Sequence, residues 1–523
     1  MDIQALWGMV QDTTVDWDIA WRLFVGAFVL YSCTKYLHRI YFHPLSNIPG
    51  PVLAGASHLY ECYYNLATNG YCNKFIDMHK KYKSPVVRIG INHVHVGDPE
   101  LYHTIHNAGD DFHKAPEFYL KLGVDGSTLT ITDPQEHKKH RSTLNPLFSR
   151  KRADDLAPIM ASKFTKVGDW MARQGKEGKP VLIHRIFRAL GADAACQLLL
   201  GDSFNMADVS DPDSLHPFMR SVDRFTMMTW PRIYYPAIGW FLDSLPNFLV
   251  EGLRPGLDVY RRWLGEAVDA YDSGKELDKP PTLFDIMVRT RRKEGKKVDE
   301  TQIFDDVSNF LMAGMEGTTN VLSFATYFLL THDDVMKKLQ DELLEARTAI
   351  QEFDHRQIMA LPYLTGVVKE CLRLSNTVPG SLPRKVPESG IDIGGHHVPA
   401  GTIISMIPAV VEYDETIFPN PKEFVPERWM GSDALSLTKW SVAFSKGRRQ
   451  CLAKNLAYME LYTTIAVFFS RFEMELYDTK ASDMEVIDRL APVLKNPPKV
   501  KIIRDKWEDD LTAAVPSLKA VSS

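Results

Sequence analysis

The longest helical pattern of apolar positions runs from Thr301 to His332, through QIFDDVSNFLMAGMEGTTNVLSFATYFLLT. A run of this length exceeds ordinary globular helices and predicts one that crosses the core. Charged amphipathic helices are predicted over 333–350 and 360–375, and a further strongly helical run spans Cys451 to Phe472. Alternation of period two is short and local. VVRIGINHVHVGD, Val86 to Asp98, predicts a hairpin, and IDIGGHHVPAGTIISMIP, residues 391–408, a strand-and-turn region. The fold class expected is mainly α with small β-sheets.

Near the N-terminus the pattern changes. From Ile19 to Tyr36 the chain reads IAWRLFVGAFVLYSCTKY, with an uncharged core of 12 residues, Leu23 to Thr34. Arg22 and Lys35 flank it and can snorkel, and Trp17, Trp21, Tyr31, Tyr36 and Tyr41 stand where an aromatic belt would lie. A single-pass membrane anchor is expected over 19–37, behind a short segment 1–18. A buried or re-entrant helix is the alternative, since about 20 apolar residues are needed to span a bilayer. Asp2, Asp12, Asp16 and Asp18 argue against a cleaved signal peptide, which starts basic. Lys35, His38 and Arg39 follow the segment, which puts the body in the cytosol. HPLSNIPGP then ends a Pro-rich connector, 38–51. A catalytic domain is expected over 52–505 and a frayed tail over 506–523.

Composition narrows the classes. Hydrophobic residues are 45% and charged residues 24%, as in a folded globular chain. Six cysteines are too few for a disulfide scaffold. The net charge of −5 carries no basic excess, so nucleic acid is not expected as a partner. A large folded enzyme remains.

Its chemistry points to one cysteine. Phe444-Ser-Lys-Gly-Arg-Arg-Gln-Cys451 stands directly before a helical run. A helix N-terminus, with Arg448 and Arg449 beside it, favours a thiolate. Gly447 allows a tight turn that brings amides towards the sulfur. Such a thiolate suits an axial bond to haem iron; the bland reading is an inert buried cysteine.

The spacing F-x-x-G-x-R-x-C resembles the haem-binding loop of the cytochrome P450 family, with Ala453 where that family has glycine. Glu370-Cys-Leu-Arg373 resembles its E-x-x-R element, and Phe424-Val-Pro-Glu-Arg428-Trp429 the element that follows. The resemblance runs from the connector to about Ile503 and implies the cytochrome P450 fold, with haem b (iron protoporphyrin IX) held by the Cys451 thiolate in a loop that Phe444 opens. It implies a buried triad of Glu370, Arg373 and Arg428, and propionate contacts from Arg449, Arg141, His137 and Arg384. His137 stands where the family has tryptophan.

The resemblance also exposes a departure. The long helix carries Ala313-Gly-Met-Glu316-Gly317-Thr318-Thr319, with Gly317 at the usual alcohol position. Glu316 is expected to organise proton delivery. Thr318 lies one step, about 100°, round the helix, so it replaces the alcohol only if a local bulge realigns it. Ordinary helix hydroxyls bonded to the preceding turn are the alternative for Thr318 and Thr319.

No flavin or nicotinamide fingerprint is evident, so the resemblance implies electrons from NADPH through a separate, membrane-bound cytochrome P450 reductase. That partner would dock near Cys451, where Lys446, Arg448, Arg449 and Lys454 form a candidate basic patch. The expected location is the endoplasmic reticulum membrane. Candidate pocket regions contain Phe118, Phe225, Met227, Met228, Trp230, Phe310, Val378 and Val493, whose apolar bias favours a lipophilic substrate. The expected activity is monooxygenation, most like fungal enzymes of secondary metabolism acting on terpenoid or polyketide-like compounds. An O2-independent isomerisation, dehydration or rearrangement on the same fold is the alternative.

Overall fold

The computed structural model describes residues 17–107, 111–207, 216–245, 257–274 and 280–508. The expected segment 1–18 and tail 506–523 therefore lie outside the described residues, except for 17, 18 and 506–508. The helices that position the site are α1 (Trp17–Leu37), α2 (Leu59–Ala67), α3 (Leu101–Asn107), α4 (Pro134–Leu144), α5 (Arg150–Lys176), α6 (Ile183–Leu200), α7 (Thr229–Tyr234), α8 (Glu300–Leu329), α9 (Pro362–Leu374) and α10 (Lys454–Arg471). Strands are short: β1 (Val86–Gly90), β2 (His93–Val96), β3 (Arg384–Lys385), β4 (Ile391–Ile393), β5 (His396–Val398), β6 (Ile403–Ser405), β7 (Phe472–Tyr477), β8 (Val486–Arg489), β9 (Ala491–Leu494) and β10 (Lys499–Asp505).

The long helix forms where the apolar period placed it. Asp299 caps α8, its side chain accepting the Gln302 N–H at 3.0 Å. The middle of α8 lies against α6 at unusually close range. A Cβ on Gly191 would stand 3.2 Å from the Gly314 carbonyl oxygen, and one on Gly314 would stand 3.0 Å from the Ala195 Cβ. Small residues on both faces let the two backbones approach. α5, α6, α8, α9 and α10 enclose the larger core, around Phe187, Leu311, Met315, Val367 and Phe468.

A second core lies on the sheet, ordered β1-β2-β6-β3. The predicted hairpin is present, antiparallel with Val86 opposite Val96; β2 runs parallel to β6, and β3 antiparallel to it with Arg384 opposite Ile404. The segment before Cys451 joins the two cores: Val442 is buried in the sheet core, while Phe444 and Leu452 lie against the helical one.

The expectation for the N-terminal anchor changes, and the connector gains detail. A helix does form over the expected anchor, and none of its residues is buried. At 21 residues it is about 31 Å long. Yet no helix among the described residues is long and apolar enough to cross a membrane, because Asp18, Arg22 and Lys35 confine the apolar stretch of α1. The connector is also no free spacer. Leu45 and Ile48 are buried in the sheet core, and Arg88 donates its backbone N–H to the Pro49 carbonyl at 2.8 Å. Leu45 and Ile48 supply its apolar surface, and Pro49 the carbonyl that β1 uses.

Beside β2, two histidines have their protons dictated by their neighbours. The Ile407 N–H donates to His95 Nε2 at 3.1 Å, so His95 carries its proton on Nδ1 and gives it to His79 Nε2 at 2.8 Å. His79 Nδ1–H then donates to the Ser84 carbonyl at 2.7 Å. Burial, with His79 and His93 adding to it, holds His95 well below the usual histidine range, so it is neutral when folded. The unfolded chain binds this proton near pH 6.5 and the fold does not. Stability is therefore expected to fall as pH drops below about 6.5, by up to about 1.4 kcal/mol per pH unit from His95. Urea midpoints at pH 7.5 and 5.5 check this, and His95→Gln should flatten the dependence. An unchanged slope would refute it.

Candidate active site

The Cys451 loop is a set of close backbone contacts. The Cys451 N–H donates to the Phe444 carbonyl at 2.9 Å, and the Gln450 N–H to the Gly447 carbonyl at 3.1 Å. Ser445 and Gly447 turn the chain with φ of 57° and 68°. A Cβ on Gly447 would stand 2.6 Å from the His106 carbonyl oxygen at the end of α3, so glycine is required both by φ and by space. The Phe444 ring meets Tyr458 of α10 edge-on at 5.1 Å. Ala453 has φ −89°, a backbone conformation that any residue adopts, so alanine there carries no backbone strain.

The helix itself begins at Lys454, with Ala453 as its cap. Cys451 therefore stands just outside the first turn, and the expected thiolate preference is not what its surroundings produce. Burial pushes the thiol up, and the Ala453 N–H, Arg141 and Lys454 offset this only in part. The side chain is nonetheless open to solvent. A bound metal ion deprotonates a coordinating thiol outright, so the thiolate would come with the iron.

Four cations converge beside this loop. Residues 113–115 run along 383–385: Lys114 bridges Arg384, the Ala115 N–H donates to the Pro383 carbonyl and the Lys385 N–H to the His113 carbonyl. That register sets the Lys114 and Arg384 side chains together. Arg384 Nη1 donates to the Tyr119 hydroxyl at 3.1 Å, and the Lys114 ammonium lies 4.3 Å from the centre of that ring. Arg141 of α4 donates to the Gln450 carbonyl at 2.7 Å. Arg449 donates to the carbonyls of Ile131 and Thr132 at 2.7 and 3.1 Å. Burial holds the Lys114 ammonium far below its ordinary range, and Arg384, Arg449 and Arg141 push it further down. His137, also buried, is lowered to about 2 by the same desolvation and then by Arg449, Lys114 and Arg141.

Like charges gathered at depth call for anions. A cleft of about 370 Å³ opens between them, lined by His106, His137, Arg141, Arg384, Arg448 and Arg449. Both ring nitrogens of the buried His106 are without a hydrogen-bond partner. A planar cofactor with two carboxylates and a thiolate-ligated metal fits this donor set. Arg449, Arg141, His137 and Arg384 thus converge as expected. Lys114 joins them unannounced, because a single lysine in a loop carries no periodic or spacing signal.

A loop ties these cations to the long helix. The N–H groups of Gly126 and Thr128 donate to Asp305 and Asp306 of α8 at 2.9 and 2.7 Å, and the Thr128 hydroxyl also donates to Asp306 at 2.8 Å. The second Asp306 oxygen meets His140 Nε2 at 2.6 Å. Lys114 takes the Leu129 carbonyl, and Arg449 those of Ile131 and Thr132. Residues 126–132 are thus a strap, its amides held by acids and its carbonyls by the site's cations.

On α8 the two expected proton groups part company. Glu316 is buried and ion-paired: Arg188 Nη2 of α6 donates to it at 2.6 Å and to Asp223 at 2.6 Å. Burial pushes the Glu316 carboxyl up, against the pull of Arg188. Burial works against the Arg188 charge, and Glu316 and Asp223 overcome it. Arg188 was not foreseen, since its partner is remote in sequence. The Thr318 hydroxyl is engaged within α8 and against α6. α8 is regular through residues 300–329, with no bulge. The Thr318 hydroxyl donates to the Gly314 carbonyl at 3.0 Å and faces Gly191 of α6 at close range. It also borders Glu460 of α10, a carboxyl that burial pushes well up and this hydroxyl partly offsets. Gly317 has room beside it: the nearest atom to an added Cβ is the Thr377 Cγ2, at 3.7 Å.

The triad is assembled in full. Glu370, with no exposed surface, accepts from Arg373 Nε and Nη2 at 3.0 and 2.7 Å and from Arg428 Nε at 2.9 Å. Trp429 Nε1 at 2.8 Å and the Val425 N–H at 3.2 Å complete its shell. Arg373 also donates to the carbonyls of Glu412 and Pro421, at 2.8 and 2.5 Å, locking the segment that leads to the Cys451 loop.

Over the cations sits an aromatic cluster of Tyr119, Leu122, Val124, Trp230 and Ile233, with Phe118, Phe225 and Leu490 against it. Three of the expected pocket residues, Phe118, Phe225 and Trp230, meet here. Phe310 instead packs on Phe148 in the helical core, with ring centres 5.0 Å apart.

A family model described as Cytochrome P450 matches residues 59–504. Among curated proteins, the cytochrome P450 monooxygenase ankB of Aspergillus thermomutatus is 56% identical over 493 residues, covering 93% of this chain and 94% of its own. The cytochrome P450 monooxygenase phqM of Penicillium fellutanum is 36% identical, covering 89% of each. The cytochrome P450 monooxygenase cloA of Claviceps purpurea (strain 20.1) is 33% identical, covering 95% of this chain and 99% of its own.

Proposed function

This chain belongs to the cytochrome P450 family, and on that footing we propose a monooxygenase of fungal secondary metabolism that oxidises a lipophilic small molecule, of terpenoid or polyketide-like character, with electrons from a separate NADPH-dependent reductase. The observation that carries the reading is an accessible Cys451 beside converging cations, of which Lys114 and Arg384 are buried. Haem bound there would supply activation of O2 for insertion into an unactivated C–H bond.

The protein's own groups have separable tasks. Cys451 would hold the iron. Arg449, Arg141, Arg384, Lys114 and His137 would hold the propionates, with arginine's planar fork suited to carboxylates. Glu316, ion-paired with Arg188 and raised by its burial, is the carboxyl on α8 that would serve proton delivery. With the Thr318 hydroxyl engaged and none offered by Gly317, water or a substrate hydroxyl completes the delivery. The aromatic cluster orients an apolar substrate and excludes water.

The test is the reduced-plus-CO difference spectrum, followed by turnover under ¹⁸O2 with NADPH and reductase. A strongly red-shifted Soret band and ¹⁸O in the product are expected. A band typical of histidine-ligated haem overturns the reading. Product formed without NADPH would support the O2-independent alternative, which the bare Gly317 position favours.

The reading extends to the endoplasmic reticulum membrane. Supporting it, Phe42, Leu53, Leu59, Tyr63, Trp240 and Phe241 are exposed. Their segments adjoin: Arg39 donates to the Ala56 carbonyl at 2.9 Å, and Asn65 of α2 to the Tyr234 hydroxyl at 2.6 Å. An exposed apolar surface of this kind suits a lipid face. The full chain is expected to float with phosphatidylcholine vesicles, and Phe42→Glu with Trp240→Glu to lower that severalfold with the CO band intact. Unaltered flotation would count against this face.

A further inference from the structure

Asp488, in the second half of the β8 strand, gathers four segments of chain. Its side chain is buried and its Oδ1 accepts the Leu490 N–H at 2.9 Å. Its Oδ2 accepts the Cys72 thiol proton at 3.3 Å. Burial pushes the Cys72 thiol well up, Asp488 adding to it, so the thiol stays protonated and remains the donor. The backbone is used as fully. The Asp488 N–H donates to the Asn69 carbonyl at 2.9 Å, and its carbonyl accepts the Trp230 indole N–H at 2.7 Å. An added Cβ on Gly380 would lie 4.0 Å from both carboxyl oxygens.

The segments meeting here are 69–72, the residues after α9, α7 through Trp230, and the β8–β9 turn. Leu490 holds φ at +69°, a strained value for leucine, and the carboxylate's bond to its N–H pins that turn. Leu490 and Trp230 are both members of the aromatic cluster, whose Tyr119 touches Arg384 and Lys114 directly. Asp488 thus holds the cluster from one side by two means, its carboxyl through the Leu490 turn and its backbone carbonyl through Trp230.

We propose that Asp488 is the positioning residue that fixes the roof of the substrate cavity, so that selection of large ligands over small ones depends on its bonds to Leu490 and Cys72. This rests on the reading that the aromatic cluster faces the substrate. A displaced Trp230 and Leu490 would change the fit of a bulky ligand and leave a small iron ligand unaffected.

The experiment uses the full-length, haem-loaded protein and spectral titration with imidazole and with the bulky azole clotrimazole. In Asp488→Ala, clotrimazole affinity is expected to fall about tenfold, the scale of one lost buried hydrogen bond. Imidazole affinity should stay within about twofold of wild type, with the reduced-CO band retained. Equal changes for both azoles, or none, overturn the proposal. Should Asp488→Ala yield no holoprotein, Cys72→Ala and Cys72→Ser decide. The alanine variant must shift the ratio of the two affinities, and the serine variant, which keeps a donor, must restore it. A ratio unmoved by Cys72→Ala overturns the proposal. Failure of wild type to give the thiolate band or bind either azole would instead sink the functional reading beneath it.

Discussion

Cys451→Ala is expected to abolish the red-shifted Soret band of the reduced CO complex and monooxygenase turnover together. The fall in turnover should be roughly a thousandfold or more, about 4 kcal/mol in the barrier. The thiolate is the electron donor on which O2 activation by this kind of haem depends. The fold should hardly notice. The side chain is open rather than packed, and the loop is held by backbone bonds from Cys451 to Phe444 and from Gln450 to Gly447. Removal of such a side chain changes stability by about 0.5 kcal/mol or less. Parallel urea unfolding of the haem-free proteins separates the two effects. A variant that lost both haem and fold, or that kept the red-shifted band, would contradict the assignment.

Glu370→Ala should have the opposite signature, a loss of fold ahead of chemistry. The carboxylate has no exposed surface and collects the charges of Arg373 and Arg428 as well as the Trp429 indole. Removing it leaves two guanidinium groups buried without their anion. Breaking a buried pair in this way costs about 3–5 kcal/mol. Little holoprotein is expected, with what forms melting well below wild type. Glu370→Gln keeps the volume and part of the hydrogen bonding, so it should fall between the two. Wild-type yield and melting in Glu370→Ala would show the triad to be dispensable.

Elements whose signal is periodic were legible before the structure. The α8 run, the hairpin of β1 and β2, and the helix after Cys451 all form within a few residues of their expected bounds, because apolar period and turn residues act locally. The Cys451 loop stood out by its spacing, whereas the triad and the arginines came only with the resemblance to the cytochrome P450 family. Three things were not legible. Lys114 and Arg188 matter through partners far away in sequence, and neither residue's neighbours announce this. The Cys451 reading depended on where the helix starts, and it starts at Lys454, past the cysteine, a boundary the pattern does not resolve. Thr318 depended on whether α8 would bulge, and close packing on α6 through Gly191 and Gly314 keeps it regular.

The strap of residues 126–132 would make haem and any substrate that moves it thermodynamically linked ligands. Its amides answer to Asp305 and Asp306, its carbonyls to Lys114 and Arg449, and Leu129 packs against the aromatic cluster. A substrate that displaces the strap therefore works against the same arginine and lysine that would grip the propionates. By reciprocity, whatever factor haem changes in the affinity of such a substrate, the substrate changes in the affinity for haem. Haem retention measured with and without a candidate compound thus becomes a binding assay in its own right, one that needs neither reductase nor turnover.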